Sequence, residues 1–197
     1  MLSTVEVMSS PLRIVAVSGS LSSPSRTTAL VLAIADAVAV RVDAEVRLIE
    51  LTRIGAQLAG ALHRDDLPPA IEEELRAIEE ADLLVVGSPV YRASFTGLFK
   101  HLFDFVGQYA LVGTPVLLAA TGGGERHALI IEHQLRPLFG FFQSLTLPLG
   151  VYASDADFEG VTVTAPALRE RIDRAAERAL PLIRFAAQRD PRAVVAF

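Results

Sequence analysis

Short apolar runs rich in β-branched residues or leucine recur along the chain at 13–17, 45–51, 83–87 and 116–121, with a weaker fifth at 147–152. Each has strand length and is bounded by polar or turn-forming residues. Between them lie stretches with helical length and spacing, at 27–40, 70–81, 97–107, 126–142 and 165–188. Pro166 suits a helix start, and Pro181 is expected to kink the last helix. Strands that are apolar on both faces and alternate with helices predict an α/β fold with a parallel sheet covered on each side. The segment 52–69 reads as an irregular excursion, and 1–11 and 191–197 read as tails of one domain spanning 1–197.

In an open sheet of this kind ligands sit outside the carboxyl ends of the strands, where the strand order reverses. Three loops are expected to converge there. The first is Ser18-Gly19-Ser20-Leu21-Ser22-Ser23-Pro24-Ser25-Arg26-Thr27-Thr28, a hydroxyl-rich turn between the first strand and the first helix. Gly19 permits a sharp turn, and the unpaired amides at the helix start together with its dipole favour an anion. Ser20, Ser25, Thr27 and Thr28 add hydroxyl donors, and Arg26 adds a planar fork suited to phosphate. A single capping hydroxyl would account for one of these residues, not for the set. The turn lacks both the Gly-x-x-x-x-Gly-Lys pattern of triphosphate sites and the Gly-x-Gly-x-x-Gly pattern of dinucleotide sites, so a terminal monophosphate suits it better.

The second loop is Ser88-Pro89-Val90-Tyr91-Arg92-Ala93-Ser94, in which Pro89 ends the strand and Tyr91 reaches the rim. The third is Thr121-Gly122-Gly123-Gly124, whose glycines allow a flat ring to lie against main chain. A phosphate at one end and a planar heteroaromatic at the other is the outline of flavin mononucleotide.

Composition narrows the partners. A net charge of −5 with scattered arginines and a single lysine, Lys100, argues against nucleic acid or an acidic membrane surface. The absence of cysteine excludes disulfides, thiolate chemistry and Cys-ligated metal, and agrees with a cytoplasmic protein. No run has transmembrane length, and the amino-terminal residues lack a signal-peptide pattern. His63, His101, His127 and His133 have no partner at metal-ligand spacing, so no metal is expected.

The ordered set Gly19-Ser20 with Ser25-Arg26-Thr27, then Ser88-Pro89-Val90-Tyr91 and Ser94-Phe95-Thr96-Gly97-Leu98-Phe99-Lys100 with Asp104, then Ala120-Thr121-Gly122-Gly123, resembles the flavodoxin-like NAD(P)H-dependent FMN reductases. Arg126-His127-Ala128-Leu129 and Glu132-His133-Gln134-Leu135-Arg136-Pro137 are similar to the methanesulfonate-linked reductases, and the alkanesulfonate-linked relatives carry Tyr where this chain has His133. The resemblance implies a doubly wound sheet of strand order 2-1-3-4-5. It implies that Ser20, Ser25, Arg26 and Thr27 hold the FMN phosphate. Pro89, Val90, Tyr91, Thr121, Gly122 and Gly123 would border the isoalloxazine, with NADH or NADPH as hydride donor and a sulfonate monooxygenase receiving the reduced FMN. No acid/base residue is then needed, because the cofactor does the difficult chemistry. Two other readings stay open: an FMN-bound reductase of quinones, azo dyes or metal oxyanions, and a flavodoxin-like electron carrier. Lys100 and Asp104, four apart, suit a helix-surface ion pair. The segment 126–142 is apolar around almost its whole circumference, which points to burial against a second subunit and hence to a homodimer or homotetramer.

Overall fold

In a computed structural model, which describes residues 11–187, the expected strands assemble into one parallel sheet. In chain order the elements are β1 (Leu12–Ser18), α1 (Arg26–Ala39), β2 (Ala44–Glu50), α2 (Leu51–Leu58), α3 (Pro69–Glu79), β3 (Leu83–Pro89), α4 (Gly97–Asp104) and β4 (Pro115–Gly122). They continue with α5 (Arg136–Phe141), β5 (Leu145–Thr146), β6 (Val151–Ser154), β7 (Phe158–Glu159), β8 (Thr162–Val163) and α6 (Pro166–Ala187). The sheet order is β2-β1-β3-β4-β5, with β6 pairing to β4 in line beyond β5, so the fifth position is one strand in two pieces. Pro148 lies in the gap between those pieces, where a missing N–H interrupts the ladder.

Strand side chains alternate between two buried layers. Val15, Val17, Leu84, Val86, Leu118 and Ala120 pack under α2, α3, α4 and α5, whereas Ile14, Ala16, Leu83, Val85, Leu117 and Ala119 pack under α1 and α6. Burial on both faces is why the strands read as continuous apolar runs. The register sets Ser18 beside Gly87, Gly87 beside Ala119, and Pro89 beside Thr121. β1 therefore ends at the level of Gly87 and Ala119, and β3 and β4 run two and three residues further, to Pro89 and Gly122. The chain leaves β1 toward α1 on one face and β3 toward α4 on the other, which opens a crevice between them.

Helix α6 is continuous from Pro166 to Ala187 with Pro181 inside it, and three expectations change. The segment 52–69 is not irregular: it holds α2, whose Leu51, Gly55 and Leu58 are buried at helical spacing, and a 3-10 turn at Arg64–Asp66. The single helix expected at 126–142 is instead a 3-10 turn (Glu125–His127), a π turn (Ile131–Leu135) and α5. Pro137 supplies the reason: it has no N–H to offer the carbonyl four residues back, and the Arg136 N–H reaches instead to Ile131 O, five residues back. Finally, most of that segment's apolar side chains are covered by the chain's own core, with Ile130, Ile131, Leu135, Phe139 and Phe142 all buried and only Leu129 and Phe141 strongly exposed. The expected tails fall almost wholly outside the described residues.

Candidate functional site

The turn after β1 is held from beneath. Gly19 N–H donates to Gly87 O at 2.7 Å, and Thr96 Oγ1–H donates to Gly19 O at 2.8 Å. A Cβ on Gly19 would lie 2.7 Å from Phe99 Cδ2 and 3.1 Å from Ser88 Oγ. Glycine is thus required for close approach to α4 and β3, not for the sharp turn its presence suggested. Ser18 Oγ and Thr28 Oγ1 are 2.8 Å apart, tying the strand end to the first turn of α1. Ser25 caps α1 by accepting the Thr28 N–H at 3.2 Å, and the amides of Arg26 and Thr27 have no intrahelical acceptor. Ser20 Oγ accepts the Ser22 N–H at 3.3 Å and folds the hydroxyl-rich loop back on itself.

Thr27 crosses the crevice. Its Oγ1 lies 2.6 Å from Thr121 Oγ1, and both residues are buried, so the first turn of α1 and the end of β4 are joined by a hydroxyl pair. Arg26 turns toward the segment after β6: Nη1 donates to Asp155 Oδ1 at 2.6 Å and Nε to Gly160 O at 2.9 Å, with the guanidinium 5.9 Å from the Phe158 ring centre.

Beyond Pro89 the chain makes a two-residue turn. Tyr91 N–H donates to Ser94 O at 2.8 Å and Ser94 N–H to Tyr91 O at 3.0 Å. Arg92 and Ala93, between them, have φ of 51° and 66°, a left-handed pair usually built from Asn and Gly. Ser94 Oγ–H donates to Gln134 Oε1 at 3.1 Å, linking this turn to the π turn. Across the crevice, Tyr152 O–H donates to Gly124 O at 2.6 Å, and its oxygen lies 2.6 Å from where a Gly122 Cβ would stand. Burial, reinforced by the charge of Glu125, pushes the Tyr152 phenol above the usual tyrosine range, so it remains a donor.

The loop after β1, the start of α1, Pro89, Tyr91, Thr121 and the β7–β8 hairpin surround a pocket of about 520 Å³. Of the residues singled out from the sequence, Ser20, Ser25, Arg26, Thr27, Pro89, Tyr91 and Thr121 line it. Val90, Gly122 and Gly123 do not: Val90 packs against the core, and Gly122 is overlain by Tyr152. Sequence reasoning missed Ser22 and Pro24 in the first loop and Gly160 and Val161 in the β7–β8 hairpin. The alternation Phe158-Glu159-Gly160-Val161-Thr162-Val163 around a glycine carried the hairpin signal, since Gly160 has φ of 61°. Lys100 and Asp104 form the expected ion pair on α4. Among the described residues, no His, Cys, Asp and Glu side chains gather as a metal site, and no helix is long and apolar enough to cross a membrane.

Residues 12–159 match the family described as NADPH-dependent FMN reductase. The chain belongs to that family. Reduction of FMN by a reduced pyridine nucleotide is accordingly its activity, and FMN with NADH or NADPH are its cofactors. It is 59% identical over 175 residues to the NADH-dependent FMN reductase SfnE of Pseudomonas putida, covering 89% of this chain and 94% of that protein. It is 54% identical, with the same coverage, to an FMN reductase (NADPH) of Pseudomonas aeruginosa. Among solved structures, an oxidoreductase from Corynebacterium diphtheriae superposes with a TM-score of 0.76 at 36% identity, over 88% of this chain and 98% of the other. The apo form of the NADH:FMN oxidoreductase EMOB gives 0.76 at 29% identity, covering 91% of each chain.

Proposed function

We propose that the pocket binds FMN with its phosphate at the α1 end, held by Ser20, Ser25, Arg26 and Thr27, and its isoalloxazine at the Tyr91 end. Pro89, Tyr91 and Thr121 would border the ring, while Val90, Gly122 and Gly123 shape the wall behind it. The observation that carries this reading is the convergence on one pocket of a capped helix start, its hydroxyls and Arg26 with the rim residues Pro89, Tyr91 and Thr121. The donor set fits a phosphate monoester, because the Arg26 and Thr27 amides, the hydroxyls and the guanidinium are all donors at the positive end of a helix dipole.

When bound, FMN supplies the hydride-accepting ring. The chain's own part is positional: the hydroxyl pair Thr27–Thr121 holds the two walls at a set separation, and the Tyr152 hydrogen bond to Gly124 O fixes the glycine loop. Peptide dipoles along the wall stabilise negative charge on the reduced ring, so no side-chain acid or base is required. Tyr91, at the rim of the pocket, is 48% exposed and would leave room beside the ring for the nicotinamide that supplies the hydride.

The reduced flavin is handed on, by this reading, to a flavin-dependent sulfonate monooxygenase in the cytoplasm. The likeness of 126–129 and 132–137 to methanesulfonate-linked reductases supports that partner. A homodimer or homotetramer is supported by the exposed Leu129 and Phe141. Anaerobic stopped-flow oxidation of NADH and of NADPH tests the reading. Multiple turnovers scaling with added FMN are expected. A single reduction of tightly held flavin, indifferent to added FMN, would instead favour a reductase of another acceptor. Arg26→Ala should weaken FMN far more than riboflavin, and equal losses would remove Arg26 from the phosphate site.

A further inference from the structure

Arg26 does not reach the pocket as a free cation. Its Nη1 is bound to Asp155 Oδ1 at 2.6 Å and its Nε to Gly160 O at 2.9 Å, so two of its five N–H groups are engaged by the segment after β6. Asp155 stands between this fork and the glycine loop, its Oδ2 4.0 Å from the position of a Cβ on Gly123. The acid is 63% exposed and its pairing with Arg26 is open to solvent, so little burial energy binds the two together. Nothing in the fold needs a carboxylate here: the adjoining 3-10 turn is closed by Asp157, which accepts from Ser154 N–H at 2.7 Å and Ser154 Oγ–H at 2.9 Å.

We propose that Asp155 sets the affinity of the site for FMN by holding a negative charge against the one cation of the phosphate cradle. This rests on the cradle reading given above. A phosphate entering at Ser25 and Thr27 must share the Arg26 fork with Asp155 and meets its charge at the same time. Removing the acid would leave Arg26 wholly to the ligand. The consequence is functional: a protein that passes its flavin to another enzyme must let go of it, and a cradle with an uncompensated arginine would release a phosphate monoester slowly. Asp155 therefore limits affinity through the charge it sets against Arg26 and is not a catalytic residue.

The test is the dissociation constant of FMN and of riboflavin, read by flavin fluorescence on the purified full chain, for the unaltered protein, Asp155→Asn, Arg26→Ala and the double variant. Asn keeps an Oδ1 that can accept from Arg26 Nη1, so only the charge changes. Asp155→Asn is expected to tighten FMN by about fivefold, the scale of an exposed charge pair, and to leave riboflavin unchanged. The gain should shrink in about 1 M salt, where screening reaches only a few ångströms, and vanish in the Arg26→Ala background. Weaker FMN binding by Asp155→Asn would mean that the acid aims Arg26 at the phosphate, and unchanged binding would mean that the ion pair parts without cost. Either overturns the proposal. If Arg26→Ala weakens both flavins equally, the cradle reading itself falls, whatever Asp155→Asn does.

Discussion

At the cradle end of the pocket Ser18, Ser20 and Thr27 are 0%, 4% and 2% exposed, whereas at the ring end Tyr91 is 48% exposed. The β1–α1 turn is packed on Phe99 and Ser88, tied within itself by the Ser18–Thr28 hydroxyl pair and to β4 by the Thr27–Thr121 pair. The ring end hangs on a turn with two non-glycine residues at positive φ and one side-chain hydrogen bond to the π turn. Phosphate recognition depends on several donors aimed at one point, which rewards preorganisation. A planar ring that must admit a nicotinamide beside it asks for a surface that can yield. The contrast suggests that stability and phosphate affinity are coupled at one end and separable at the other.

The most severe way to break the contrast is to undermine the cradle. Phe99 is fully buried, 4.9 Å from Phe103 and 5.7 Å from Phe95 by ring centres, and lies directly under Gly19. Phe99→Ala should cost about 3–5 kcal/mol of stability in urea unfolding and weaken FMN well beyond riboflavin. Gly19→Ala attacks the same contact from above. With Phe99 Cδ2 at 2.7 Å and strand side chains behind it, the new methyl should cost about 1–3 kcal/mol and again single out FMN. If either variant lost stability but bound FMN normally, the cradle would not depend on its packing.

Much of this was legible in the chain. The β-branched runs mark the strands because both faces of the sheet are buried, and the hydroxyl-rich loop marks one wall of the pocket, which Ser20, Ser25, Arg26 and Thr27 line. What escaped is what depends on distant partners. Gly160 and Val161 enter the pocket only because Arg26 bonds to Gly160 O across 134 positions of sequence. The π turn stays hidden because the apolar pattern of 126–142 continues through Pro137, although an interior proline is itself a signal that one helix cannot span the segment. The triple glycine signals close approach to main chain but not by what. Gly122 makes room for Tyr152, a demand no local pattern could disclose.

Tyr152 offers a milder break at the ring end. Tyr152→Phe removes the donor to Gly124 O and should cost about 1 kcal/mol, with a modest rise in KM for FMN. Its pH signature separates it from a packing change. The folded phenol is held above the ordinary value of 10.0, so the neutral form is favoured in the folded state. Stability from this source is complete below about pH 10 and is lost as pH rises through the folded value. Urea midpoints measured on the alkaline side should therefore fall less steeply for Tyr152→Phe than for the unaltered protein. Equal slopes would mean the phenol is not protected by the fold.

The smallest effect runs in the other direction. Ala93 has φ of 66°, and a non-glycine residue in that region carries a penalty of about 1–2 kcal/mol. Ala93→Gly removes the penalty but adds about 0.5–1 kcal/mol of chain entropy to be lost on folding. The net expectation is a gain of about 0.5–1 kcal/mol, visible as a small rise in Tm. The same change frees the turn that holds Tyr91, so KM for FMN should rise while the FMN-to-riboflavin preference, a property of the cradle, stays constant. A variant that gained stability with no loss in KM would show the strain to be idle. One that altered the phosphate preference would show that the two ends are not separable, because the Tyr91 turn would then be acting on the cradle through Ser88 and Thr96, whose N–H donates to Ser88 Oγ at 3.1 Å.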